Sequence, residues 1–320
     1  SNQELRFYEG SNYVGFEAPA LAADKIWVLP AADGSANEIL KTDGSGTLSW
    51  TTNVSGASNI GALSEVLIED NSLYIGHDPV SNTSTAQWNV SVGVTALDAI
   101  TSGDENTAMG YKALSVLSSG SANTAIGKEA LSMNNGSRNT ALGYLALWKN
   151  TSGNDNNALG ENALRENSAG SHNTAIGDEA LERNMQSYNT AVGSLAMKGT
   201  SNDNSNNSTA LGYKAGYVIN DGDNNVFIGY QAGDAVTSGD NNIIIGADAA
   251  ASAVTADNQI VIGQGATGTT DNTVLLGNGS ITNWLPTDTN EVDLGSSSKE
   301  MKNIYVDGVA YTDAIGFGTV

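Results

Sequence analysis

One short phrase recurs along most of this sequence, and it leaves few folds open. "SANTAIGKEALSMN" at 121–134, "SRNTALGYLALWKN" at 137–150 and "SHNTAIGDEALERN" at 171–184 are near copies. Aligned on the glycine of N-T-A-[I/L]-G, the copies carry Gly76, Gly93, Gly110, Gly127, Gly143, Gly160, Gly177, Gly193, Gly212, Gly229, Gly246, Gly263 and Gly277, thirteen in all. The step is usually 17 residues, with extremes of 14 and 19. Such a period marks a solenoid in which each copy is one coil. Helical repeats need about 33 residues or more, so the coil is β, with two short strands and two turns.

The segment before each glycine alternates as a strand does. Thr107 and Met109, like Thr124 and Ile126 or Thr140 and Leu142, point one way, while Ala108, Ala125 and Ala141 point the other. Later coils read Val226-Phe227-Ile228, Ile243-Ile244-Ile245 and Ile260-Val261-Ile262, which are strongly strand-forming. The glycines, Gly110, Gly127, Gly143 and Gly177 among them, suit a turn conformation that other residues resist. Four residues before the glycine stands Asn89, Asn106, Asn123, Asn139, Asn156, Asn173, Asn189, Asn225 or Asn242. Stacking would align these amides in a ladder that bonds the neighbouring coil or the turn backbone. A glycan or ion contact is the alternative use for them.

A volume exchange runs through the repeat. The position four after the glycine is large from Leu97 to Met197, then small in Gly216, Gly233, Ala250 and Thr267. The central strand residue of the following coil is small from Ala108 to Ala210, then large in Phe227, Ile244, Val261 and Leu275. Close-packed interiors conserve volume in this way. The switch therefore predicts contact between Leu97 and Ala108, Leu181 and Ala191, and Gly216 and Phe227. The contact lies between successive coils or between neighbouring chains at one height. A thin coil buries little by itself. One strand face should therefore fill the coil and the other meet a partner, with three chains around an axis completing the core.

Three segments follow: a β-hairpin cap over 1–58, the repetitive shaft or head over 59–285, and a β connector over 286–320. "LRFYEGSNYVGFEA" alternates around a turn, "KIWVLP" is a short strand, and "EILKTDGSGTLSW" is a hairpin around "DGSG". Such flanks would cap the solenoid's open edges. The chain starts at Ser1 and ends on "AIGFGTV", and reads as a processed form or a segment of something longer.

The motif N-T-A-I-G-x-x-A-L resembles the repeats of trimeric autotransporter adhesin heads, over roughly residues 71–285, with a longer coil here. That resemblance implies a left-handed parallel β-roll of three chains side by side. Residues 5–50 and 290–319 look like segments of marine bacteriophage tail fibres, the latter like the stretch that often precedes a self-cleaving chaperone domain. No anchor barrel of the autotransporter kind is visible. The flanks thus favour a virus-type fibre. The expected fold is an all-β, trimeric parallel β-roll or β-solenoid of about thirteen short coils with small β flanks. Thirteen coils would span on the order of 60 Å.

Composition narrows the partners. With 13 basic and 35 acidic residues the net charge is −22, which argues against nucleic acid and anionic membrane. No apolar run reaches the roughly 18 residues of a membrane-spanning helix. Cysteine is absent, excluding disulfides and thiolate metal sites. Neither His77 nor His172 has a nucleophile in a catalytic pattern, and no phosphate loop, zinc motif or hydrolase elbow appears, so no enzyme is expected. Calcium is the one cofactor the acidic turns suggest, through Asp155, Asp223 and Asp240 beside amide oxygens. Asx-rich turn chemistry explains the same residues. Tyr111, Tyr144, Tyr213 and Tyr230, directly after their glycines, and Trp148 in an outer turn are the candidate contacts to a cell-surface glycan or protein receptor.

These readings converge on a homotrimeric, tail-fibre-like shaft or head for attachment to a host or cell surface, on a virion or outside a cell. The alternative is a bacterial extracellular adhesin or matrix filament that self-associates end to end. A glycan-cleaving spike and an ice-binding solenoid, the latter suggested by the Thr column, are more distant readings.

Overall fold

The computed structural model describes residues 4–9, 12–17, 28–36, 38–45, 47–52, 66–69, 71–76, 79, 85–200 and 203–281. The described elements are all β. The chain divides into two units, Ser1–Tyr144 and Leu145–Val320.

The first unit opens with two hairpins. Strand β1 (Glu4–Glu9) pairs antiparallel with β2 (Asn12–Glu17), and β3 (Glu38–Thr42) with β4 (Leu48–Thr52). In the "DGSG" turn, Asp43 Oδ1 accepts the amides of Ser45 and Thr47 at 2.7 and 3.0 Å, which closes the turn. Of the expected "KIWVLP" strand, Val28 makes a single bridge to Thr47. Each hairpin forms its own two-stranded sheet. The strand that covers the first coil's edge lies further on: β5 (Val66–Glu69) runs antiparallel to β6 (Ser72–Ile75). From β6 onward the strands are parallel: β7 (Val90–Val92), β8 (Thr107–Met109), β9 (Thr124–Ile126) and β10 (Thr140–Leu142).

The second unit is a parallel β-solenoid. Its strands are β11 (Asn157–Leu159), β12 (Thr174–Ile176), β13 (Thr190–Val192), β14 (Thr209–Leu211), β15 (Val226–Ile228), β16 (Ile243–Ile245), β17 (Ile260–Ile262) and β18 (Val274–Leu276). Each pairs with the next in the register of the repeat, so Ala158 lies beside Ala175 and Phe227 beside Ile244. The expected C-terminal connector, 286–320, lies outside the described residues.

Each coil holds one three-residue strand, where the sequence predicted two. Backbone conformation is the reason. Lys112 and Leu114 have φ of 57° and 52°, and their equivalents both stay left-handed as far as Gln231 and Gly233, while Ala250 and Thr267 bridge each other instead. Left-handed residues at alternate positions cannot extend into a strand. The segment folds instead into consecutive turns, closed by Ala113 N–H to Gly110 O at 3.2 Å and Leu117 N–H to Leu114 O at 3.2 Å. Backbone bonds still join this side to the next coil, such as Leu114 N–H to Ala130 O at 3.1 Å, Val116 N–H to Ser132 O at 3.3 Å and Glu129 N–H to Tyr111 O at 2.8 Å. The motif glycine has φ of 131° at Gly110, 136° at Gly127, 143° at Gly143 and 134° at Gly177, and a Cβ on Gly110 would stand 2.6 Å from Gly127 O. Positive φ and close coil approach together require glycine there.

The core is complete within each coil stack. Ala108, Ala125, Ala141, Ala175 and Ala191 are fully buried, as are Leu97, Leu114, Leu131, Leu147, Leu164, Leu181 and Met197. The predicted volume exchange is an intrachain contact. The ring of Phe227 fills the space where Gly216 and Gly233 lack side chains, so that a Cβ on either would collide with it. The seven large residues at this position pay for their place with φ between 44° and 52°. That conformation costs about 1–2 kcal/mol per residue, while burying a Leu or Met stabilises by about 1.5–3 kcal/mol, so burial wins.

The asparagine ladder forms with both of its proposed bonds. Asn106 Oδ1 accepts Asn123 N–H at 3.0 Å, Asn123 Oδ1 accepts Asn139 N–H at 3.0 Å, and Asn173 Oδ1 accepts Asn189 N–H at 2.9 Å. Most of the amides also donate to a turn carbonyl of the next coil, as Asn106 does to Gly120 O at 3.0 Å, while Asn139 donates to Asn134 Oδ1 at 3.4 Å. All are fully buried. A second internal ladder lies seven residues after the glycine in Asn150, Asn167 and Asn184 of the second unit, and Asn134 is buried at the same position in the first. In this ladder Asn167 Nδ2 donates to Asn150 Oδ1 at 3.2 Å and to Gly170 O at 2.9 Å.

Candidate functional site

With the central residue of each strand turned inward, its two neighbours face out. The outward positions of β7–β10 are Val90, Thr107, Thr124 and Thr140, and Val92, Met109, Ile126 and Leu142. In the second unit they are Asn157, Thr174, Thr190, Thr209, Val226, Ile243, Ile260 and Val274, and Leu159, Ile176, Val192, Leu211, Ile228, Ile245, Ile262 and Leu276. None is charged, on a chain with 35 acidic residues. Met109 is 47% exposed, Leu142 41% and Val274 63%. The Thr column thus shares its face with outward, not inward, aliphatic side chains.

The strands of this face are short, parallel and in register. Eight strands of the second unit at about 4.8 Å spacing, each about 10 Å long, make a stripe of roughly 340 Å². Contiguous apolar surface of a few hundred Å² on a soluble protein marks an interaction site. The stripe alone falls short of the roughly 800 Å² that each partner buries in a standard interface, so the columns bordering it must take part.

Tyr213 and Tyr230 stand on that border, and Tyr111 and Tyr144 hold the same position after their glycines in the first unit. Tyr213 and Tyr230 are near-parallel, with ring centroids 5.6 Å apart. Lys214 Nζ lies 5.4 Å from the Tyr213 ring and 4.9 Å from that of Tyr217. In the first unit Lys112 Nζ lies 5.3 Å from the Tyr111 ring, and Lys128 Nζ 5.3 Å from the Tyr144 ring. The rings are 40–51% exposed. Each ring thus shares a face with another ring or with a lysine. On the opposite border His172 stacks on Tyr188 at 5.1 Å.

Trp148 does not join the tyrosines. It stands five residues after its glycine, in the column of Arg165, Glu182 and Lys198, and is half-buried with Lys149 Nζ 5.3 Å from its ring. This side of the coils is linked by ion pairs between side chains: Arg165 to Glu182 at 2.8 Å, Lys198 to Glu179 at 2.6 Å, and Lys149 to Glu166.

The three calcium candidates are likewise not brought together. Asp223 and Asp240 lie on adjacent coils, six residues before their glycines, and Asp155 stands four strands earlier in a different column. Asp223 Oδ1 accepts Asn206 N–H at 2.7 Å, and Asp240 Oδ1 accepts Asp223 N–H at 2.7 Å. Ser, Asn and Asp side chains repeat this bond at the same height, as in Ser187 Oγ to Ser171 N–H at 2.9 Å. The two aspartates therefore serve a third ladder between coils. Among the described residues, no group of three or more His, Asp or Glu is placed to hold a metal ion.

No family model, curated protein or solved structure matches the chain.

Proposed function

We propose that the chain is the repetitive shaft or head of a homotrimeric, tail-fibre-like attachment protein, displayed on a virus particle or outside a cell. The observation that carries this reading is the uncharged, apolar outward face of the strands. Parallel sheets are ordinarily covered on both faces, and strands apolar on both faces belong to such sheets. Here β15–β18 carry Val, Ile and Leu outward as well as Phe, Ile, Val and Leu inward. A second and third copy of the same stripe supply the missing cover. Chains of net charge −22 repel one another, and a contact surface without charge is what lets like chains meet. The choice of three follows the resemblance to trimeric adhesin heads and phage fibres. Tyr111, Tyr144, Tyr213, Tyr230 and Trp148 remain the receptor-facing candidates, and three copies of each would add avidity for a weakly bound surface ligand.

The test places one charge in the stripe. Ile245→Lys leaves the inward core untouched and, under this reading, reduces the sedimenting species from three chains to one at micromolar concentration. A variant that sediments as the unmodified chain does, whatever that mass is, would remove the stripe from the interface.

A further inference from the structure

We propose that the long coil carries a pH-responsive seam at Asp203, where it joins the coil before it, held closed by the neutral carboxyl of Asp203 and loosened when that carboxyl is charged. The repeat steps 19 residues here, from Gly193 to Gly212. Asp203 bridges Asn184 in parallel, which places it at the head of the internal Asn150, Asn167 and Asn184 column. The next coils fill that position with Ile219 and Val236, which offer no donor. Asp203 is fully buried. Its Oδ1 accepts Ser205 N–H at 2.8 Å, while its Oδ2 is buried without a hydrogen bond of good geometry, the Ser205 hydroxyl and the Asn184 amide being the polar groups beside the carboxyl. A buried carboxylate with one unsatisfied oxygen is costly, and a neutral carboxyl much less so.

The surroundings do not neutralise the charge. Glu182, Arg183 and Lys198 lie in the flanking turns, and they pair among themselves and with Arg165 and Glu179. The Arg183 guanidinium also donates to Thr200 O at 2.6 Å. On the following coil the negative Asp221 faces the same region and accepts from Asn204 Nδ2 at 3.1 Å. Burial pushes the Asp203 carboxyl up to about 7; Ser205 and Asn184 pull it down, and Asp221 raises it further. An exposed aspartate titrates near 3.8. Between those values the closed coil keeps a proton that the open coil releases. Rising pH therefore favours opening until about pH 7, above which both states are charged and the effect levels off.

Amide hydrogen exchange on the full chain reads this directly, at the bonds that join the seam to the coil before it. These are Asp203 N–H to Arg183 O at 3.1 Å and Met185 N–H to Asp203 O at 3.0 Å. After correction for the intrinsic rise of exchange with pH, the opening constant at these amides should grow roughly 100-fold between pH 5 and pH 8. Asp203→Asn, which extends the asparagine column by one member, should abolish that growth and leave the seam protected at both pH values. A flat wild-type opening constant would overturn the proposal, whether or not the variant folds, and so would a rise of the same size in Asp203→Asn.

Discussion

Strands β11–β14 point Ala158, Ala175, Ala191 and Ala210 into the coil, against Leu164, Leu181 and Met197 on the turn side. Strands β15–β18 point Phe227, Ile244, Val261 and Leu275 inward, and the turn side shrinks to Gly216, Gly233 and Ala250. The backbone at the turn position is left-handed at Leu164 and Leu181, with φ of 52° and 51°, and at Gly216 and Gly233, with φ of 60°, but not at Ala250, which bridges Thr267. Only the second arrangement gives that conformation to glycine, which adopts it freely. The same interior volume is thus filled from the turn in one region, at the expense of backbone strain, and from the strand in the other. The comparison teaches that the coil's cross-section is the conserved quantity, and that either wall can supply it.

The sharpest way to break the comparison is to empty the strand side where the turn cannot compensate. Phe227→Ala leaves a void between two glycines and should cost about 3–5 kcal/mol of unfolding free energy. The reciprocal change, Ala175→Phe, forces a ring between Leu164 and Leu181 in the repeat register and should cost about 1–3 kcal/mol or more. Adding Leu164→Gly makes room and relieves one left-handed leucine, so the double variant should recover part of the loss. Chemical denaturation of the three proteins checks the set, and a double variant no more stable than Ala175→Phe alone would break the exchange.

The smallest effect concerns the amide ladder, which both regions share. Ser208 interrupts it: its Oγ accepts Asn225 N–H at 3.1 Å, but it has no amide to donate onward. Asn225 shows what the missing group does, donating to Gly239 O at 2.7 Å. Ser208→Asn should supply the equivalent bond to the Gly222 carbonyl and stabilise by about 1 kcal/mol, the net worth of one hydrogen bond. An unchanged or lower denaturation midpoint would show that this coil cannot accept the longer side chain.

Much of this was legible because the repeat writes each contact in a column. Asn106 or Asn173 recurs at one height, and stacking makes the ladder almost obligatory. The Gly216–Phe227 exchange was legible because both partners switch together. The second ladder was not, since Asn134, Asn150, Asn167 and Asn184 share their column with Ile100, Leu117, Ile219 and Val236 and read in sequence as ordinary turn residues. Nor was the single strand per coil, because nothing in Lys112 or Leu114 announces a left-handed backbone; the packing of the Leu side chain imposes it. Asp203 was hidden by the 19-residue step, which moves it out of alignment with Asn184 until the coils are stacked. The acidic turns suggested calcium because Asp223 and Asp240 offer oxygens, but those oxygens face the amides of the coil before them. At the candidate site, strand alternation separated the Thr and aliphatic columns from the Ala column. Only the filled interior shows that Ala is the inward one.

We propose that the uncharged strand face is covered by two further copies of the chain. Native mass by light scattering, followed through serial dilution with and without calcium, tests it most directly. The account predicts three times the 32.9 kDa chain mass at every concentration. A single-chain mass would contradict it, and growth without limit would point instead to an end-to-end filament.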